Sequence, residues 1–138
     1  MSLARFTEAQ EAIWPAPLRE VQAGRKETHW MWFVFPQLRG LGRSATARHY
    51  GITGLEEARA YLAHPVLGPR LRDCAAAMLA HRGTDAATIL GPVDALKLHS
   101  CATLFARAAG DPGPFGALLE AFYDGRPCPL TEAELAAG

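Results

Sequence analysis

Apolar residues recur every three or four positions along most of the chain, which is the spacing of one face of an α-helix. The first such stripe predicts a helix over Leu3–Ile13, and the prolines at positions 15 and 17 end it. The same spacing predicts helices over residues 18–23, 44–50, 53–63, 66–81, 84–90, 91–109 and 115–123, with a last one starting near Thr131. The pattern is therefore helical nearly throughout.

Several helix starts are marked by residues whose side chains can accept bonds from free backbone N–H groups. Ser44 precedes the 45–50 stretch as a candidate N-cap. Two pairs, Thr53 with Glu56 and Thr131 with Glu134, have the spacing of a capping box. Pro92 predicts a first helical turn directly after Gly91. The apolar stripe of the helix that follows is predicted to bury Val93, Leu96, Cys101, Leu104 and Phe105.

The segment from Thr28 to Phe35 is rich in Trp, Phe and Val, which favour strands. A single strand would have no partner in this sequence, so we interpret the segment as a short buried helix or turn. The fold prediction is all-α: a single compact domain, residues 1–138, of seven or eight short helices around this central aromatic segment. The predicted core consists of Phe6, Ile13, Trp30, Phe33, Leu62, Leu67, Leu71, Met78, Leu96, Leu104, Phe105 and Phe122.

The amino-acid composition argues against several classes of protein. Hydrophobic residues make up 49% and charged residues 20% of the 138 positions, which is typical of a globular protein. Lys+Arg and Asp+Glu both number 14, so an extended nucleic-acid surface is not expected, although a local basic patch remains possible. The longest apolar runs are far too short to span a bilayer, and the N-terminal stretch lacks the apolar core of a signal peptide. We expect a cytoplasmic protein.

Several familiar site types have no counterpart in the sequence. The three cysteines are widely spaced and odd in number, which does not indicate a disulfide framework. No His or Cys spacing fits a metal site, and there is no phosphate loop, dinucleotide fingerprint or nucleophile elbow. Neither a metal nor a cofactor is predicted.

The most unusual stretch, residues 24–44, combines aromatic, basic and glycine residues. A flat ring could stack on Trp30 or Trp32, and an anion could bind at the N-terminus of the helix that starts at Ser44. His29 is a candidate general acid or base. The remaining polar candidates for ligand binding in this stretch are Lys26, Gln37, Arg39 and Arg43. The alternative is that the aromatics are core, the arginines are solvated and the histidine is structural.

A second candidate is the helix that contains Lys97. The chain has 12 arginines but only two lysines, Lys26 and Lys97, and an amine can act as a nucleophile or base. Helical spacing predicts that Lys97 and Ser100 share a face, with Asp94 one turn earlier as a possible partner. We therefore predict a catalytic role for Lys97, with Ser100 in the same cleft. The alternative is an ordinary amphipathic helix whose lysine extends to solvent.

The chain also resembles a known bacterial family, catalogued as domain of unknown function 1810. The motifs that carry the resemblance are GRKETHWMWFVFPQLRGLGRS at 24–44, YGI at 50–52, EARAYLAHPVLGPRL at 57–71 and DALKLHSCATLF at 94–105. The resemblance implies a small, mainly α-helical protein and supplies no catalytic residues, because no activity is established for the family. Some members carry the label "calpastatin", whereas calpain inhibitors of that type are largely disordered repeats and this chain has no repeats.

Two functions from different classes follow. The first is a small-ligand-binding protein, with enzymatic activity left open, that has a cleft for a nucleotide-like or other anionic molecule between residues 26–44 and the Lys97 helix. An analogy with enzymes that remove ADP-ribose from modified bases would give Lys97 or Lys26 a covalent role. The second is a non-enzymatic interaction module that uses the aromatic segment. The protein partner is unknown, and a monomer or a dimer is compatible with the sequence.

Overall fold

The computed structural model of the chain describes residues 2–137, and ten α-helices occupy most of them. They are α1 (Ala4–Glu11), α2 (Ala16–Gln22), α3 (Met31–Val34), α4 (Ala45–His49), α5 (Leu55–Ala63), α6 (Leu67–Leu79), α7 (Ala86–Leu90), α8 (Pro92–Ala109), α9 (Gly113–Tyr123) and α10 (Pro129–Ala137). A 3-10 turn covers Arg39–Leu41. No strand occurs within these residues, so the all-α prediction is confirmed. The count exceeds the expected seven or eight because all nine predicted stretches form helices and α3 adds a short one within the aromatic segment.

Helix α8 is the centre of the fold and packs against α5, α7, α9 and α10. It begins as predicted, with Gly91 at a positive φ of 90° followed by Pro92 in the first turn. Its buried stripe includes Leu98, Cys101 and Phe105, all at most 1% exposed.

The predicted apolar stripe of α8 is wrong in its first turns. Leu96, predicted to be core, is 67% exposed, and Val93 is 63% exposed. These residues lie on the side of the helix away from Leu98 and Cys101, because successive residues rotate by about 100° around the axis. The other predicted core residues are buried, except that Ile13 and Phe122 are partly buried against the core.

Only one of the predicted caps forms. The Ser44 hydroxyl accepts a hydrogen bond from the Ala47 amide at 3.1 Å. Helix α5 starts after Gly54 with no side-chain cap, so the Thr53–Glu56 box is wrong. The Thr131–Glu134 box is wrong as well, because α10 already begins at Pro129 and both residues lie within the helix.

A buried polar cluster joins α1, α3 and α5. The Gln10 amide donates to the carbonyl of Phe33 at 2.7 Å and lies 3.1 Å from the Tyr61 hydroxyl, which donates to the same carbonyl. Burial raises the pKa of Tyr61. These bonds satisfy a carbonyl at the end of the short helix α3 that would otherwise be buried without a partner.

The segment between α3 and α5 is held by backbone pairing. The Arg39 amide donates to the Ile52 carbonyl at 2.8 Å, and the Ile52 amide donates to the Gln37 carbonyl at 2.9 Å. Gly51 makes this approach possible, because a Cβ at that position would overlap the backbone of Arg39. The pairing closes residues 39–51 into a loop that carries α4.

Candidate functional site

The loop and the exposed face of α8 enclose a cleft of about 510 Å³. From α8, the residues Val93, Leu96, Lys97 and Ser100 line it, at helical spacing. Its other lining residues are Trp32, Gln37, Leu41, Arg43, Ser44, Ala47 and Leu130. We call this space the Trp32 cleft. Its lining combines two cationic side chains, Arg43 and Lys97, with apolar ones and includes no Asp or Glu.

An acidic residue behind the cleft links the only two lysines. The Asp94 carboxylate binds Lys26 Nζ at 3.0 Å through one oxygen and Lys97 Nζ at 3.1 Å through the other. The predicted pairing of Asp94 with Lys97 is confirmed. Asp94 lies in the first turn of α8, where a negative charge is also favoured by the helix dipole.

Each ammonium also faces an indole ring. Lys26 Nζ lies 5.1 Å from the centre of the Trp30 ring, and Lys97 Nζ lies 4.8 Å from that of Trp32. Both distances are within the range of cation–π attraction. The Lys97 side chain is 20% exposed and that of Lys26 is 8% exposed, so only Lys97 is presented to the cleft.

Trp30 is fixed from its other edge by a carboxylate. Its indole N–H donates to Glu20 at 3.0 Å, and the amides of Glu27 and Thr28 donate to the same oxygen. Burial raises the pKa of Glu20, but hydrogen bonds from Thr28, Glu27 and Trp30 outweigh it and lower that pKa to about 2. Glu20 therefore anchors the segment that carries Lys26.

Behind Ser100 lies a buried thiol. The Ser100 hydroxyl and Cys128 Sγ are 3.5 Å apart, and Ser100 also donates to the Leu96 carbonyl. Cys128 directly precedes α10. Burial raises the pKa of its thiol, but hydrogen bonding with Ser100 and with the backbone at the start of α10 lowers it below the ordinary value. The polar wall of the cleft thus continues inward to a sulfur atom.

A comparison of the sequence with models of known protein families shows which family the chain belongs to. The sequence model of the family described as "Protein of unknown function (DUF1810)" matches residues 1–135. The chain belongs to the DUF1810 family. The predicted resemblance is confirmed.

One solved structure is similar to this DUF1810 protein over nearly its whole length. It is the conserved hypothetical protein Rv1873 from Mycobacterium tuberculosis, which is 51% identical, with a TM-score of 0.94. The match covers 97% of this chain and 96% of the other. No curated protein matches.

The DUF1810 fold brings together most, but not all, of the residues singled out in the sequence. Trp32, Gln37, Arg43, Ser44, Lys97 and Ser100 line one cleft. Trp30 is 1% exposed, so its ring faces Lys26 and the core instead of a ligand. His29 is exposed and outside the cleft lining, which gives it no partner for acid–base chemistry there.

Arg39 and Arg43 separate, contrary to the expectation of one anion site at the start of α4. Arg43 faces the Trp32 cleft, whereas Arg39 lies on the other side of the loop beside Arg48. The Ala47 N–H of α4 is already satisfied by the Ser44 hydroxyl, and the helix has only five residues. The start of α4 therefore offers no separate anion site.

Sequence reasoning missed two parts of the site. Leu130 comes from the first turn of α10, far along the chain, and no local signal connects it with Trp32. The salt bridge from Lys26 to Asp94 joins two distant segments and likewise has no local signature. Residues 2–137 contain neither a metal-binding group of His, Cys, Asp or Glu nor a helix long and apolar enough to cross a membrane.

Proposed function

We propose that this protein binds a small anionic molecule with an aromatic or apolar part in the Trp32 cleft. One observation carries the proposal: the Lys97 ammonium lies over the Trp32 ring at the wall of a cleft whose lining is mainly apolar. A ring or chain would pack against Trp32, Leu96 and Leu130, while an anionic group would pair with Lys97 and Arg43. Nucleotide-like molecules have both parts.

The contacts of Lys97 favour binding over nucleophilic attack as its main role. Its ammonium is held between the Asp94 carboxylate and the Trp32 ring, which both attract a cation. Ser100 and Gln37 supply neutral hydrogen-bonding groups at the same wall. Should the bound molecule be turned over, Lys97 is the amine within the described cleft lining on which the chemistry would depend.

The test is a ligand screen followed by matched variants. Thermal unfolding of the full chain is recorded with nucleotides, dinucleotides, ADP-ribose and sugar phosphates, because a ligand at 100 times its Kd stabilises by about 2.7 kcal/mol. A compound that shifts the Tm is then titrated against Lys97→Gln and Trp32→Leu, which should weaken binding at least about tenfold.

The control for these titrations is His29→Ala, at an exposed position outside the cleft. Unchanged affinity in His29→Ala with weak binding in Lys97→Gln supports the cleft. Equal affinity in Lys97→Gln and the wild type, or no shift with any compound, contradicts the proposal.

A second candidate, a docking surface, is favoured by one observation. The large hydrophobic residues that are strongly exposed within residues 2–137, namely Val93, Leu96 and Leu130, all line this same cleft. The aromatic segment itself contributes little to such a surface, because Trp30, Phe33 and Phe35 are at most 8% exposed. Light scattering on the wild type and on Leu96→Ser/Leu130→Ser would support it by showing a dimer that the double variant dissociates.

A further inference from the structure

A second hollow lies on the other side of the loop that closes the Trp32 cleft. Its lining consists of Ser2, Arg5, Arg39, Arg48 and His49, around a space of about 550 Å³. Four of these five side chains are cationic or can become so, and none is acidic. We call it the arginine hollow.

The surrounding sequence concentrates positive charge. The whole chain has equal numbers of acidic and basic residues, yet no Asp or Glu occurs between Glu27 and Glu56. Arg39, Arg43 and Arg48 all lie in that interval. The loop and both neighbouring stretches therefore carry positive charge with no acidic residue in the same segment, and the carboxylates near them come from other parts of the fold.

The guanidinium groups of Arg39 and Arg48 are held by the backbone at one edge. Arg39 Nε donates to the Arg48 carbonyl at 3.2 Å, and Arg48 Nε donates to the Gly42 carbonyl at 3.4 Å. Neither residue forms an ion pair with an acidic residue in the range 2–137, and both are exposed. The Nη ends of both groups are therefore available, which is the donor arrangement that binds a phosphate through two parallel bonds.

Arg5 plays a different part, since its guanidinium is already fully used. Its nitrogens donate to the carbonyls of Ser2, His49 and Gly51 and to the Glu57 carboxylate, which is 2.8 Å away. It fixes the end of α4 against α1 and thereby positions the wall that carries Arg48 and His49. Glu57 is neutralised by this contact and is 3% exposed at its side chain.

We propose that the arginine hollow is a binding site for a phosphate or diphosphate group, held by Arg39 and Arg48 with His49 at its edge. The site is separate from the Trp32 cleft and does not rest on the function proposed there. A free inorganic anion and the diphosphate of a larger molecule present the same chemistry to the two guanidinium groups. Two acidic side chains lie nearby: Glu57 is paired with Arg5, and Glu134 packs over Gly40 and forms no ion pair with Arg39.

The experiment titrates the full chain with inorganic pyrophosphate, inorganic phosphate and sulfate by calorimetry at low and at physiological salt. Arg39→Gln and Arg48→Gln each remove one guanidinium group while leaving the buried contacts of Arg5 in place. Arg82→Gln is the matched control, because Arg82 is likewise exposed and donates to a backbone carbonyl but lines neither the arginine hollow nor the Trp32 cleft. Thermal unfolding of each variant shows whether it is folded. Arg39→Lys keeps the positive charge and tests whether binding needs the planar guanidinium group with its two parallel donors.

The expected result is pyrophosphate binding that is weakened at least about tenfold in Arg39→Gln and Arg48→Gln and changes by less than about twofold in Arg82→Gln. Added salt should weaken it further. Equal affinity for pyrophosphate in the wild type and both variants would overturn the proposal. It would also be overturned if the wild type bound sulfate as tightly as pyrophosphate, or bound no pyrophosphate at all. A short single-stranded RNA is titrated as well. If it binds more tightly than pyrophosphate and loses affinity in the same variants, the proposed phosphate site is overturned in favour of a nucleic-acid contact.

Discussion

Lys26 and Lys97 bind opposite oxygens of one carboxylate, although they come from distant parts of the chain. Asp94 thereby connects the segment after α2 to the start of α8. The arrangement carries a net positive charge, two ammonium groups against one carboxylate, next to the Trp32 cleft. Its stability depends on the single negative group at its centre.

We predict that Asp94→Asn destabilises the protein by about 1–3 kcal/mol, less than for a fully buried ion pair because the Lys97 side chain is 20% exposed. The change leaves two neighbouring ammonium groups without compensation. Urea unfolding of Asp94→Asn measures this loss, with Asp73→Asn at an exposed position of α6 as the control. A decrease in the free energy of unfolding of less than about 0.5 kcal/mol would contradict the prediction, because it would mean that the salt bridges of Asp94 contribute little to stability.

The carboxylate of Glu20 should make stability depend on acid pH. Its pKa is lowered from the ordinary value of 4.5 to about 2, so its contribution is complete above pH 4.5 and is lost as the pH falls toward 2. We expect Glu20→Gln to cost about 1 kcal/mol at pH 6, discounted for partial exposure, and progressively less at pH 4 and 3.

Urea unfolding of the wild type and Glu20→Gln at these pH values measures the difference, and Glu8→Gln at an exposed position of α1 is the matched control. A wild-type advantage that stays constant from pH 6 to pH 3 would show that the hydrogen bonds to Glu20 do not depend on its charge.

Two leucines on opposite sides of α8, Leu96 and Leu98, should respond differently to truncation. Leu98 is fully buried, and Leu98→Ala should cost about 2–5 kcal/mol through lost packing and a cavity. Leu96 is 67% exposed, and Leu96→Ala should change stability by less than about 0.5 kcal/mol. Thermal unfolding of the pair checks the rotation of the helix directly; similar losses in both variants would contradict it.

The glycines at 51 and 54 form a matched pair. A Cβ at Gly51 would overlap Arg39, so Gly51→Ala should cost about 1–3 kcal/mol by forcing the paired segments apart. A Cβ at Gly54 would meet only open space, and the φ of 165° there is accessible to alanine. Gly54→Ala should therefore be nearly neutral in chemical unfolding, and equal effects would argue against the close pairing of 37–39 with 51–52.

The three thiols should differ in reactivity. Burial raises the pKa of Cys74 to about 12 and also raises that of Cys101, whereas hydrogen bonds lower that of Cys128. Since the thiolate is the reactive form, iodoacetamide at pH 8 should modify Cys128 before the other two. Peptide mass spectrometry over time gives the order, and earlier modification of Cys74 or Cys101 would contradict the hydrogen bonding described before α10.

Local patterns predicted the helices well because helix formation depends on neighbouring residues. The Gly91-Pro92 start and the Ser44 cap were correct, since both act within one turn. The stripe of α8 was wrong at Val93 and Leu96, because which side of a helix is buried depends on the helices that surround it. The Thr53–Glu56 box failed because Glu57 instead accepts from the Thr53 amide and pairs with Arg5.

The candidate site could be predicted only in part for a similar reason. Lys97 and Ser100 are three positions apart in α8, and this spacing alone places them on one face of the helix. Arg39 and Arg43 are nearly as close in sequence, but the loop between them turns and sends them to opposite sides. The position of Leu130 depends on how α10 packs against α8, which no spacing within either helix encodes.

The pairing of residues 37–39 with 51–52 uses main-chain atoms, so it places few demands on the side chains between them. Substitutions at Arg43, Ser44 or Arg48 can alter what the loop presents on either side without loosening its base. The side chains that the loop presents can therefore be redesigned while the helices beneath it keep their packing. The base of the loop acts as a frame, and recognition on its two sides can be engineered separately from the stability of the fold.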